Sequence, residues 1–135
     1  MQMQAKILVV DDDPDITEAI RAVLEAHSHQ VITARDGEEG LAKLKEERPD
    51  LMILDLLMPK MDGFAVLKEL QDPRCSKYSN IPILILTSVR EDASRRRYEI
   101  ETGLELNVDD YVEKPIDPHT LVQRVGKLLE KRAQP

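Results

Sequence analysis

The stretch "KILVVDDDPD", Lys6–Asp15, decides how this chain is read. Ile7, Leu8, Val9 and Val10 form a short aliphatic run of strand length, and Asp11, Asp12, Asp13 and Asp15 follow at once. Two carboxylates about 4 Å apart repel by roughly 4 kcal/mol at an effective dielectric of about 20. Acids crowded at the mouth of a buried strand therefore need hydration, a cation or a helix N-terminus. Asp13 is placed to cap a helix, with Pro14 at its first position. Ile16, Ala19, Ile20, Val23 and Leu24 then recur at helical spacing.

The same strand-then-helix alternation continues outward from that point. Gln30–Ala34, Leu51–Asp55, Ile81–Thr87 and Asp110–Lys114 read as four further strands. Asp36 opens a second helix that carries Leu41 and Leu44 and ends before Pro49. "MDGFAVLKEL" reads as a third helix with Phe64, Leu67 and Leu70 inward, and the polar segment Gln71–Asn80 as loop. Glu91–Thr102 is highly charged and reads as a more exposed fourth helix. Asp117 and Pro118 repeat the cap-plus-proline start, and the last helix carries Leu121, Val122, Val125, Leu128 and Leu129 on one face. Five strands alternating with five helices imply an α/β fold: a mostly parallel sheet, covered on both faces, with right-handed crossovers. No repeat, low-complexity segment or interdomain linker interrupts the pattern, so residues 1–135 read as a single domain with its core at about 5–131.

Bulk properties narrow the function. The chain has 135 residues and a formal net charge of -7, which disfavours nonspecific attraction to nucleic acid or anionic membrane. It has no Trp and one Phe, a poor supply of stacking surfaces for single-stranded nucleic acid. Cys75 is the sole cysteine, which excludes an internal disulfide and fits a reducing compartment. No signal pattern opens the chain, and its longest apolar runs fall far short of a membrane span. The expectation is a soluble, cytoplasmic protein with no direct nucleic-acid contact and no membrane contact.

In open parallel sheets, ligands bind beyond the carboxyl ends of the strands. The residues at those ends are Asp11 and Asp12, Asp55, Thr87 and Lys114. Three acids against one ammonium leave a local deficit of positive charge, and a divalent cation would correct it. Oxygen ligands at a site open to solvent suit magnesium. An EF-hand loop does not fit, because Ile16 and Ala22 stand where that loop requires Gly and Glu. Asp15, in the first turn, is accounted for by the helix dipole alone. Arg95, Arg96 and Arg97 fan around a helix rather than sharing a face, and read as a solvated patch.

"ILVVDDDP", "LMILDLLMPKMDGF", "PILILTS" and "DDYVEKPI", in that order, resemble the signature blocks of the response-regulator receiver domain of two-component signalling, chemotaxis-regulator-like in extent. The resemblance covers about Ala5–Lys131. It implies the flavodoxin-like doubly wound sheet in strand order 2-1-3-4-5. It also implies that Asp55 is the phosphoacceptor, taking a phosphoryl group from a sensor histidine kinase or a phosphotransfer protein, with Mg2+ as cofactor. Asp12 and Asp55 would ligate the metal directly, Asp11 through water, and Leu57 through its main-chain carbonyl. Thr87 and Lys114 resemble the catalytic hydroxyl and lysine, Thr87 and Tyr111 the switch pair, and the Lys114–Pro115 peptide is expected to be cis. Met58 and Pro59 shape the turn after Asp55.

The chemistry is consistent with that assignment. A carboxylate can act as nucleophile toward phosphorus, and positioning plus charge neutralisation carry phosphoryl transfer. The new dianion would pull on Thr87 and Lys114, which supplies the differential interaction a two-state switch requires. No enzymatic turnover is expected beyond self-catalysed phosphotransfer and autodephosphorylation. The latter is expected to be slow, with Leu57 and Val89 flanking the site. Output would pass to a downstream effector protein or domain, or to a homodimer, through the face of the fourth helix, fifth strand and fifth helix. The stretch between Thr87 and Lys114 is longer than usual for the family, Asn107 replaces a common glycine, and Ser88 a frequent alanine.

Two other classes compete. A phosphorylation-independent receiver-like interaction module would have no need of the acid, threonine and lysine set. A magnesium-dependent phosphatase of the haloacid-dehalogenase type wants a second acid two residues after the nucleophile, where Leu57 stands. No DNA-binding helix pair or catalytic domain follows "KLLEKRAQP", so a stand-alone receiver and a fragment of a longer protein are both open readings.

Overall fold

A computed structural model describes residues 4–58, 60–78, 80–87 and 109–133. The strands are β1 (Lys6–Val10), β2 (Gln30–Ala34), β3 (Leu51–Asp55), β4 (Ile83–Thr87) and β5 (Asp110–Glu113). The helices are α1 (Pro14–Ala26), α2 (Gly37–Glu47), α3 (Gly63–Leu70) and α4 (Pro118–Ala133), with a 3-10 helix at Pro73–Tyr78. The sheet order is β2-β1-β3-β4-β5 and every pairing is parallel, as the doubly wound reading requires. The helix expected at Glu91–Thr102 lies outside the described residues, as do Pro59, Ser88, Val89, Arg95, Arg96, Arg97 and Asn107.

The sheet divides the core in two because successive side chains in a strand point to opposite faces. Ile7, Val9, Leu51, Ile53, Leu84, Leu86 and Val112 face one layer, formed with Ile20 and Leu24 of α1 and Leu121, Val125, Leu128 and Leu129 of α4. Leu8, Val10, Met52, Leu54, Ile83 and Ile85 face the other, with Leu44 of α2 and Phe64, Val66 and Leu67 of α3. Such two-sided burial is what makes the strands read as unbroken apolar runs.

Helix starts follow the aspartates. Asp13, Asp36 and Asp62 each accept a backbone N–H in the first turn of the helix that follows. Asp117 does the same for Thr120, at 3.1 Å.

Several details differ from the sequence reading. Gln71–Asn80 is not plain loop, because its 3-10 helix buries Cys75 and Tyr78 against the second layer. Their spacing of three residues is the period of that helix. Ala19 is exposed, while Thr17 is buried beside Ile20 and Leu24. At ~100° per residue Ala19 lies about 130° from the centre of the stripe those three define, on the solvent side. In α3, Leu70 is only partly buried and Val66 is fully buried. β4 begins at Ile83 rather than Ile81, since the Ile81 N–H is given to Tyr78 at 3.2 Å. β5 ends at Glu113, opposite Thr87, the last residue of β4.

Two aspartates extend the ladder at its amino edge. Asp50 accepts the Lys6 N–H on Oδ2 at 2.8 Å and donates its own N–H to the Lys6 carbonyl at 2.7 Å. Asp109 makes the same pair of hydrogen bonds with Ile83: its Oδ2 accepts the Ile83 N–H at 2.8 Å, and its own N–H donates to the Ile83 carbonyl at 3.0 Å. Each carboxylate takes a strand-opening donor that would otherwise be left without a ladder partner. Asp50→Ala should lower the unfolding free energy by about 2 kcal/mol, read as a shifted urea midpoint at unchanged slope.

Candidate functional site

Register alone assembles the site. Val10 lies opposite Leu54, so the next residues, Asp11 and Asp55, are neighbours at the carboxyl edge. Alternation then turns both toward the layer of Val9 and Ile53. Asp11 and Asp55 are each 1% exposed, and Asp12 is exposed at the rim. Ligand-capable oxygens of the three lie within 4.8 Å of one another. Lys114, just past β5 and on the parity of the inward Val112, reaches into the same place. Its Nζ lies 3.3 Å from Asp11 Oδ2 and 3.3 Å from Asp55 Oδ1.

The loop after β1 holds Asp11 in place. Asp11 Oδ1 accepts the Asp13 N–H at 3.0 Å, and Asp13 Oδ1 in turn accepts the Asp15 N–H at 2.9 Å. Asp13, expected as a helix cap, is one, and it also fixes a member of the cluster. Asp11 Oδ1 thus faces the Asp13 N–H, and Oδ2 faces Lys114. Asp12 has no partner for its carboxylate among the described residues, the condition of a group available to an incoming cation.

Of the other residues singled out from the sequence, Thr87 closes β4. Tyr111 is partly buried in the opposite layer, with Ile85 as its register partner. Leu57 is partly buried two residues beyond β3, beside the partly buried Met58. The Lys114–Pro115 peptide is cis.

Burial pushes the Asp11 carboxyl up to about 6, and the charge of Asp55 adds to this; the Asp13 N–H and Lys114 act against it. A raised carboxyl favours the protonated folded state. The cost of ionising Asp11 therefore enters as pH rises from 3.8 toward 6 and is complete above that. The shift corresponds to about 3 kcal/mol. Asp11→Asn should stabilise the metal-free protein by about that amount at pH 7.5 and by almost nothing at pH 3.5. Urea denaturation at the two values checks this, and an equal effect at both would overturn it.

The donor set fits a hard divalent cation. Its candidate donors are all carboxylate oxygen, two of the three carboxylates are buried, and among the described residues one ammonium, that of Lys114, lies against them. Gly63 secures the approach to it. Its N–H donates to the Leu56 carbonyl at 3.0 Å, and a Cβ there would collide with the Asp55 carbonyl oxygen and lie 2.8 Å from Leu56 Cα. Only glycine lets α3 start this close to the backbone of Asp55.

Comparison with known proteins gives a consistent result. The family described as response regulator receiver domain matches residues 7–126. The probable transcriptional regulator ycf27 of Cyanophora paradoxa is 43% identical over 130 residues, 96% of this chain and 50% of that protein. The alkaline phosphatase synthesis transcriptional regulatory protein PhoP of Bacillus subtilis (strain 168) is 41% identical over 129 residues, 96% of this chain and 50% of its own. The chain thus spans about half the length of these curated relatives. Among solved structures, the signal receiver domain of a signal transduction histidine kinase from Syntrophus aciditrophicus superposes with a TM-score of 0.81 at 32% identity. That match covers 97% of this chain and 94% of the other. The structure of a putative response regulator from Chloroflexus aurantiacus J-10-fl gives a TM-score of 0.79 at 32% identity, covering 95% of this chain and 99% of the other.

Proposed function

The chain belongs to the response regulator receiver domain family, and on that premise we propose that Asp55 is its phosphoacceptor and that phosphorylation switches its output surface. The observation that carries this reading is the position of Asp55: buried at the end of β3, 3.3 Å from the Lys114 ammonium and clustered with Asp11 and Asp12. Asp12 and Asp55 would hold magnesium directly, Asp11 through water, and Leu57 through its carbonyl. The metal supplies positive charge to the phosphoryl oxygens. Lys114 adds a second positive charge, already in place before the donor arrives.

The donor is a phosphohistidine on a sensor kinase or phosphotransfer protein. An Asp55 carboxylate oxygen attacks phosphorus, the P–N bond breaks, and the imidazole keeps the electron pair and takes a proton. The product is an aspartyl phosphate. Its new charge pulls on Lys114 and on the Thr87 hydroxyl. Lys114 must then divide its contacts between Asp11 and the phosphoryl group, and Tyr111, in the layer behind β4 and β5, would follow Thr87. The downstream partner is an effector protein or domain.

The test is incubation with a small-molecule phosphodonor, with and without magnesium, followed by intact mass. A gain of one phosphoryl group that depends on magnesium is the expected result. No gain under any condition would overturn the reading and favour a phosphorylation-independent interaction module.

A further inference from the structure

The loop between β3 and α3 is tied to a helix that takes no part in the site. Gly37, the first residue of α2, donates its N–H to the Met61 carbonyl oxygen at 2.8 Å. A Cβ at Gly37 would collide with that oxygen and lie 2.7 Å from Val66 Cγ2. Beside it, Asp36 caps α2 through Oδ1, 2.9 Å from the Glu39 nitrogen, and turns Oδ2 toward Lys60 Nζ at 3.9 Å. Lys60 has a left-handed backbone, with φ 62°. The loop is thus closed at its base between Leu56 and Gly63 and tethered at Lys60 and Met61. The first N–H groups of a helix have no intrahelical partner. At α2, one of them is given to the acceptor loop.

We infer that Gly37 is a positioning residue: the N-terminus of α2 holds the β3–α3 loop so that the Leu57 carbonyl stands ready for the metal. Gly37 touches none of the metal-binding groups and acts only through Met61. This rests on the reading of Leu57 as a ligand. Binding energies are reciprocal, so a contact that favours metal binding is itself favoured by the metal.

Two measurements on the whole chain test this. In calorimetric titration with magnesium chloride, the wild-type chain should bind, and Gly37→Ala should bind about 10-fold more weakly, as for other outer supports of a metal site. Leu44→Val, which opens a cavity under the far end of α2 and leaves the Gly37–Met61 contact in place, should keep the wild-type constant within about twofold even where it costs equal stability. In wild-type protein, magnesium should slow hydrogen exchange of the Gly37 amide about fivefold, by the same linkage. It should leave the Gly40 amide, bonded to the Asp36 carbonyl at 2.9 Å, unchanged. The exchange arm stands even if Gly37→Ala does not fold. If wild type binds magnesium but Gly37→Ala binds equally well, or the Gly37 amide is indifferent to the metal, the inference is wrong and the site reading survives. Failure of the wild-type chain to bind magnesium removes the reading of Leu57, and the inference with it.

Discussion

Asp55→Asn should take up no phosphoryl group under conditions that label the wild-type chain completely. The amide matches the carboxylate in shape, so β3 and its register persist, but it offers no anionic oxygen to attack phosphorus. The same substitution removes one of two buried like charges. Asp11 is held up partly by the charge of Asp55, so its ionisation becomes easier in the variant. The metal-free variant should therefore be more stable than wild type by about 1 kcal/mol, raising Tm by roughly 2–5 °C. Intact mass and thermal unfolding read the two effects on one sample. A phosphoryl group on the variant would mean that another residue is the acceptor. A lowered Tm would mean that Asp55 stabilises the fold through contacts that outweigh its charge.

Lys114→Met should show the largest stability effect at the site. Its ammonium lies 3.3 Å from a carboxylate oxygen of each buried acid. Removing one partner of a buried ionic cluster leaves uncompensated charge, at about 3–5 kcal/mol. The metal-free variant should lose about 3 kcal/mol at pH 7.5, and clearly less at pH 4, where Asp11 is protonated in the fold. Saturating magnesium should restore much of the loss, since it supplies the missing positive charge and binds only the folded chain. Combining Lys114→Met with Asp11→Asn should recover a large part of the loss without metal, a coupling read by a double-mutant cycle. A Lys114→Met protein as stable as wild type at pH 7.5 would show that the lysine does not neutralise the acids.

The aspartates show how far residue type alone can be taken. Asp13 was legible as a cap because a proline and an amphipathic run follow it. The second bond it makes, from its own N–H to Asp11, was not, because an Asx turn is a matter of dihedral angles rather than composition. Asp62, the cap of α3 inside "KMDGF", carries the usual signal, an aspartate just before an apolar helical run. Asp50 and Asp109 carried no local signal. Their carboxylates serve strands that are 44 and 26 residues away in the chain.

The sequence by itself determined the alternation of strands and helices, the strands' two-sided burial and the gathering of acids at their carboxyl ends. Each of these is a local pattern: apolar runs of strand length, helical spacing, and the type of residue at a boundary. Only the tertiary structure decided that Asp11, Asp55 and Lys114 share one face, that Tyr111 belongs to the other, and that α2 meets the β3–α3 loop through Gly37 and Met61. Those relations depend on register between strands and on approaches of a few ångströms between backbones distant in the chain. A one-residue slip would reverse every side chain in a strand, and that register is fixed only when both layers of the core pack at once.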